Sequence, residues 1–232
     1  MNALSGLQKS CQFNILQDHV GLISVAHQAV LRLSSFSNMV DMKTTHTSLP
    51  FAGHTLHFVE FDPASFREQD LLWLPHYAQL QHAGRKRKTE HLAGRIAAVH
   101  ALREYGLKGV PAIDHHRQPV WPAGVYGSIS HCGTTALAVV SRQPIGIDIE
   151  EIFSAQTAGE LTDNIITAAE HEQLAGCGLA FSLALTLAFS AKESAFKASE
   201  IQTDAGFLHY QIGNCQHQQL SLIHISEPTR LA

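Results

Sequence analysis

Between Leu174 and Ala191 the chain reads LAGCGLAFSLALTLAFSA, eighteen residues without a charge, and the charged KESAFK follows at once. A run this apolar has to leave water, either across a bilayer or inside a protein core. Two Gly, two Ser, a Thr and a Cys within it, with charges at its end, favour a buried helix of a soluble protein. Peripheral attachment to a membrane surface is compatible with the same pattern. The rest of the chain supports a folded core: 45% of residues are hydrophobic, and 16 Lys+Arg against 20 Asp+Glu give a net charge of −4. That balance excludes a disordered chain. A pI near 6.4 excludes a nucleic-acid binder working by bulk charge. With 232 residues there is room for one large domain or two small ones. Cys11, Cys132, Cys177 and Cys215 stand far apart without a CxxC pair, which suggests reduced thiols in a cytosolic protein rather than a disulfide or zinc framework. The N-terminus has no basic segment leading into an unbroken apolar core, so no secretory signal is read there.

Local patterns predict mixed strands and helices, an α/β or α+β arrangement. TLHFVEF (55–61) alternates at period two and reads as a strand. A helical region is expected from about Ala64 to Gly106. Its strongest part is RKRKTEHLAGRIAAVHALREYG, with Leu92, Ile96, Val99 and Leu102 at three- and four-residue spacing and Gly106 as the stop. TALAVVS and IGIDIE read as strands either side of an RQP turn. Thr167-Ala168-Ala169-Glu170 has the capping-box form that opens a helix, and FLHYQI reads as a late strand. Residues 1–38 are weakly patterned, and nothing in them looks chemical.

Four segments could carry chemistry. In IGIDIEE, residues two apart share a strand face, which puts Asp148 beside Glu150. Paired carboxylates repel, and a hard divalent cation such as Mg²⁺ relieves that repulsion through oxygen ligands; two solvated acids on an exposed face fit the pattern as well. In SAKESAFK, Glu193 and Lys197 fall one helical turn apart. An ordinary surface ion pair and a capping box at Ser190-x-x-Glu193 account for that segment equally. In SISHCG, Ser130 and His131 could surround a phosphate, or His131 could be a turn residue bonded to backbone. A Ser/His/Asp hydrolase lacks its G-x-S-x-G elbow here. The run Arg85-Lys86-Arg87-Lys88, with Arg95 two turns on, is either a solvated face or a polyphosphate grip.

The order and separation of these pieces are more specific than any one of them. SxSH, then GIDIE about fifteen residues later, then FSxKESxxK about forty further on, resembles the Sfp-type 4′-phosphopantetheinyl transferases. The likeness runs from about Met39 to Ile212. It implies transfer of the 4′-phosphopantetheine arm of coenzyme A to a carrier-protein serine, with release of adenosine 3′,5′-bisphosphate. It also implies Mg²⁺ on Asp148, Glu150 and Glu193, with Glu193 as base for the serine, directly or through water. Lys197 would hold the phosphates, and Ser130 with His131 would contact coenzyme A phosphate. Arg85 or Lys88, Arg95 and Arg117 are implied for the 3′-phosphate and nucleotide. The acceptors implied are apo aryl and peptidyl carrier domains of a nonribosomal peptide synthetase that builds a catecholate siderophore. A cytoplasmic, monomeric protein without a transmembrane span or nucleic-acid partner goes with this.

The implied fold is α+β (α/β), two similar halves related by a pseudo-twofold, here residues 39–141 and 142–212. Residues 1–38 form an unmatched extension. Past Ile212 the family continues with strands that complete the second half, whereas residues 213–232 match nothing expected, and SLIHISEPTR resembles a translated sequencing adapter. The second half is therefore expected to be cut short, with a non-catalytic fragment that binds carrier protein or coenzyme A as the alternative.

Overall fold

The computed structural model describes residues 11–17, 40–199, 207–217 and 221–226, with the backbone alone at 11–17, 207, 213–217 and 221–226. In chain order the described elements begin with β1 (Cys11–Gln17), β2 (Thr44–Phe51), β3 (His54–Phe61) and α1 (Arg85–Glu104). Next come β4 (Ala112–Ile113), β5 (Pro119–Val120), β6 (Tyr126–Cys132), β7 (Thr135–Ser141) and β8 (Ile145–Glu151). Three helices follow, α2 (Ala155–Ile165), α3 (Ala168–Ala175) and α4 (Phe181–Ala198), then β9 (Gln211–His217) and β10 (Ser221–Ser226). The architecture is mixed α and β, as expected, and it divides into two compact units between Gln143 and Pro144, with β1 belonging to the second.

In the first unit, four antiparallel strands lie in the order β2-β3-β7-β6. The twenty residues of α1 cover this sheet, and Leu92, Ile96, Ala97 and Leu102 pack with Val59, Phe61, Ala136 and Ala138 in one core. Gly94 lets the helix come close: a Cβ there would stand 2.8 Å from the Ile129 side chain. The helix stops where Gly106 turns the chain at φ +70, the left-handed conformation that a glycine adopts without steric cost. The segment before α1 is not the continuous helix expected from Ala64. It makes two 3₁₀ turns, Glu68–Trp73 and Tyr77–Leu80, on either side of Pro75. Proline breaks helical hydrogen bonding, and short turns suffice to bury Leu71, Leu74 and Leu80. Strand β2, TTHTSLPF, was not expected; it pairs with β3 over its full length.

In the second unit, β8 pairs antiparallel with β1, and α4 packs against both. Thus TALAVVS and IGIDIE, though three residues apart, enter different sheets. β9 and β10 pair with each other. The apolar run divides: α3 ends at Ala175, a turn through Gly178 (φ +82) follows, and α4 starts at Phe181. Ala184, Leu187, Ala188, Ala191 and Ala195 recur at helical spacing and are buried, so the run forms core. No helix among the described residues is long and apolar enough to cross a membrane. The capping box at Thr167 forms as read: Thr167 N donates to Glu170 Oε2 at 2.7 Å and Glu170 N to Thr167 Oγ1 at 3.3 Å. The one weighed at Ser190 does not, because Ser190 is the tenth residue of α4.

Candidate active site

Strand β8 is buried on both faces as far as Ile149, so the simple picture of an exposed acidic edge gives way to a recessed one. Asp148 is 2% exposed. Its Oδ1 accepts a 2.6 Å hydrogen bond from Lys197 Nζ on α4. One turn earlier on that helix, Glu193 Oε2 lies 3.7 Å from the same ammonium. Both Glu193 and Lys197 keep only about a quarter of their side-chain surface in water, which is not the geometry of an ordinary surface pair. Glu150 completes the group electrostatically. Burial, and then the Asp148 charge, pushes its carboxyl up to about 7, with Lys197 opposing and Glu193 adding to the rise. Burial also raises Glu193, with Lys197 again opposing and Asp148 contributing.

When all three carboxyls are ionised, one ammonium faces three negative charges, and the remaining two match one divalent cation. Three carboxylates are hard oxygen donors of the kind Mg²⁺ takes, so the donor chemistry fits. Among the described residues no three His, Cys, Asp or Glu side chains are drawn together tightly enough to hold a metal ion. The Lys197 ammonium lies between Asp148 and Glu193 instead.

Close packing sets this meeting of β8 and α4. A Cβ on Gly146 would overlap the Ser194 carbonyl, so only glycine lets the helix lie where Lys197 reaches Asp148. Lys192, the residue before Glu193, is fully buried, its ammonium 2.8 Å from Glu170 Oε1.

The first unit holds the remaining candidates. Ser130 is buried on β6, and His131 follows it with Nδ1 3.8 Å from Glu90 Oε1 of α1; His131 is a strand residue, not a turn residue. Arg85 donates to the carbonyls of Pro63, Ala64 and Phe66 and lies over the Phe66 ring. Lys88 is buried and bonds Glu68 at 2.8 Å. Arg95, 4% exposed, donates to Pro111 O and Ala112 O, and burial with the nearby Arg87 brings its guanidinium down to about 10. Arg117 is exposed in the β4–β5 turn at φ +67. A cavity of about 610 Å³ beside Trp73, Val99 and Arg103 includes none of these residues.

Two family profiles match the chain in series. One described as "4'-phosphopantetheinyl transferase N-terminal domain" covers residues 76–141, and one described as "4'-phosphopantetheinyl transferase superfamily" covers residues 144–231. Enterobactin synthase component D of Escherichia coli K12 is 87% identical over 183 residues, 79% of this chain and 88% of that protein. The chain belongs to the 4′-phosphopantetheinyl transferase superfamily. Enterobactin synthase component D of Salmonella typhimurium is 60% identical over 182 residues, 78% of each chain. The 4'-phosphopantetheinyl transferase Svp of Streptomyces mobaraensis is 35% identical over 148 residues, 59% of this chain and 56% of that one.

A phosphopantetheinyl transferase handles a polyanionic substrate, and in the first unit Arg87 and Arg95 act on a partly buried histidine pair. His91 is pushed down to about 3 by burial, then by Arg95, His76, Arg87 and His131. Its Nε2 lies 2.8 Å from His76 Nε2. Burial and the neighbouring guanidiniums hold His91 in its neutral form, and the positive charge beside it rests on Arg87 and Arg95. His76 and His91 are fifteen residues apart, and no local pattern connects them.

Proposed function

We propose that this transferase moves the 4′-phosphopantetheine arm of coenzyme A onto a serine of apo aryl and peptidyl carrier domains of enterobactin synthesis, as a Mg²⁺-dependent enzyme. The observation that carries this is the coupled group Asp148, Glu150 and Glu193 around Lys197, with Glu150 raised to about 7. The family membership and the component D relatives supply the substrate class.

Asp148, Glu150 and Glu193 would hold the ion. Bound there, Mg²⁺ supplies a Lewis acid that neutralises charge on the pyrophosphate. Glu193, made more basic by its buried setting, takes the proton from the carrier serine as that oxygen attacks the phosphorus bearing pantetheine. The bond to the second phosphate breaks, and adenosine 3′,5′-bisphosphate leaves. Lys197 turns its ammonium from Asp148 towards the phosphate oxygens and the leaving group.

Ser130 and His131 contact coenzyme A phosphate, supported by the positive field of Arg87 and Arg95. Arg117 is free to reach the nucleotide from its exposed turn. Arg85, Lys88 and Arg95 would have to exchange their present carbonyl and carboxylate partners to do so. The enzyme works in the cytoplasm as a monomer, with peripheral membrane contact at most.

Incubating an apo carrier domain with coenzyme A, Mg²⁺ and the full chain, then weighing the carrier, tests the proposal. One phosphopantetheine added to its serine is expected, and none after chelation. An unmodified carrier, under conditions where the Escherichia coli relative acts, would leave the non-catalytic binder as the better account.

A further inference from the structure

Among the described residues of the second unit, the most deeply buried charge is not in the carboxylate group but beside it. Lys192 is 0% exposed, and its ammonium donates to Ile165 O at 2.8 Å and to Glu170 Oε2 at 3.1 Å. Glu170, 3% exposed, does three further things. It accepts from Thr167 N at 2.7 Å and from Thr167 Oγ1 at 3.1 Å, closing the cap of α3, and its Oε1 accepts from Ile212 N at 2.8 Å at the start of β9. One pair therefore joins the end of α2, the start of α3, α4 and β9. Hydrogen bonds to Lys192, Thr167 and Ile212 bring the Glu170 carboxyl below its ordinary range against the opposing effect of burial.

We infer that the Glu170–Lys192 pair is a positioning device for the transfer site, fixing α4 along its own axis so that Glu193 and Lys197 meet Asp148. This rests on the function proposed above. The geometry supports it because Lys192 immediately precedes Glu193, and because the opposite side of the same helix has no slack: the Ser194 carbonyl is in contact distance of Gly146. A helix held by a buried ion pair on one side and by backbone contact on the other cannot slide. A buried pair is often replaceable by apolar residues without loss of stability, so a purely structural role would leave the site untouched by such a replacement.

The test uses the full chain with Lys192→Met/Glu170→Met together, with Lys192→Arg as the conservative variant and Glu193→Ala as control. Transfer from coenzyme A to an apo carrier is measured per folded molecule, at the same interval below each melting temperature. For the double apolar variant, kcat is expected to fall at least tenfold while KM for coenzyme A changes less than threefold, and Lys192→Arg should recover part of the loss. A second readout is thermal. Lys197→Ala should shift the melting temperature of the parent but not of the double variant, where Lys197 no longer meets Asp148; such non-additivity marks coupled sites. Wild-type kcat with additive melting shifts would overturn the inference. If the double variant does not fold, Glu170→Gln decides: its one carbonyl oxygen can accept from Thr167 N or from Ile212 N but not from both, and the charge that holds Lys192 is lost, so unchanged kcat there overturns the inference equally. Should Glu193→Ala remain fully active, the failure lies in the proposed function and not in the positioning.

Discussion

Glu150 gives the carboxylate group a measurable pH signature. The perturbation is a rise in pH through neutrality with divalent cations chelated. A carboxyl raised in the folded state keeps its proton more tightly there than in the unfolded chain. Its stabilisation is therefore complete below the ordinary value of 4.5 and lost as pH climbs through about 7. That interval corresponds to roughly 3 kcal/mol if it were felt in full. Glu150 is only partly buried, so solvent screening reduces the figure to about 1–2 kcal/mol. For a chain of this size that is roughly 3–6 °C in melting temperature. The assay is thermal unfolding of the parent and of Glu150→Gln, which imitates the protonated acid, at about pH 5 and about pH 8. Because both proteins share every other titrating group, their difference isolates Glu150. The two should melt nearly together under acid conditions, the parent should be the less stable at alkaline pH, and added Mg²⁺ should close the gap there. A difference that does not depend on pH would refute the claim that like charge and burial press on this carboxyl.

Asp148→Ala should lower transfer by about 10²–10³-fold, the size of one lost preorganised electrostatic contact; a carrier-loading rate within threefold of the parent would remove Asp148 from the site. Gly146→Ala forces a methyl into the Ser194 carbonyl and should cost about 1–3 kcal/mol by denaturant titration, with a larger proportional loss of kcat because α4 must back away from Asp148. His46 stacks on His100 at 3.6 Å, and burial lowers their imidazoles to about 4 and about 3. Their stabilising effect is present above the ordinary value of 6.5 and disappears as pH falls towards 4, so acid unfolding should take up protons in that window. Replacing His46 by Phe should reduce that uptake by about one proton, read from the slope of stability against pH.

Much of the fold was legible where a pattern is local. Period two in TLHFVEF, three- and four-residue spacing from Leu92 to Leu102, and the Thr167–Glu170 cap each report a structure whose cause lies within a dozen residues. β2 was not legible because TTHTSLPF carries no strict alternation; its pairing with β3 comes from the Ala52-Gly53 turn and the partner strand. For β1, residues 11–17 show no period that anticipates pairing with β8. The start of α4 was blurred because the apolar run continues through the turn at Gly178.

Within the candidate site, spacing paired Asp148 with Glu150 and Glu193 with Lys197, the family resemblance joined the two pairs, and neither disclosed their depth. Nothing local distinguishes a lysine that caps a surface helix from Lys192, wholly enclosed, or shows that Gly146 is glycine because of a helix nearly fifty residues away. The basic run misled in a related way. Arg85 and Lys88 read as a solvated face or a phosphate grip, whereas each is tied to its own unit, and the charge beside His91 comes from Arg87 and Arg95. Tertiary contact determines which charges remain available, and a single sequence does not display tertiary contact.

The central claim is that three acids act as one cation site. Binding of Mn²⁺, as a spectroscopic stand-in for Mg²⁺, to the whole chain without coenzyme A tests it directly, with Asp148→Asn, Glu150→Gln and Glu193→Gln alongside. One ion per chain is expected, held at least tenfold more weakly by each variant. Equal affinity in the parent and all three variants would contradict the account.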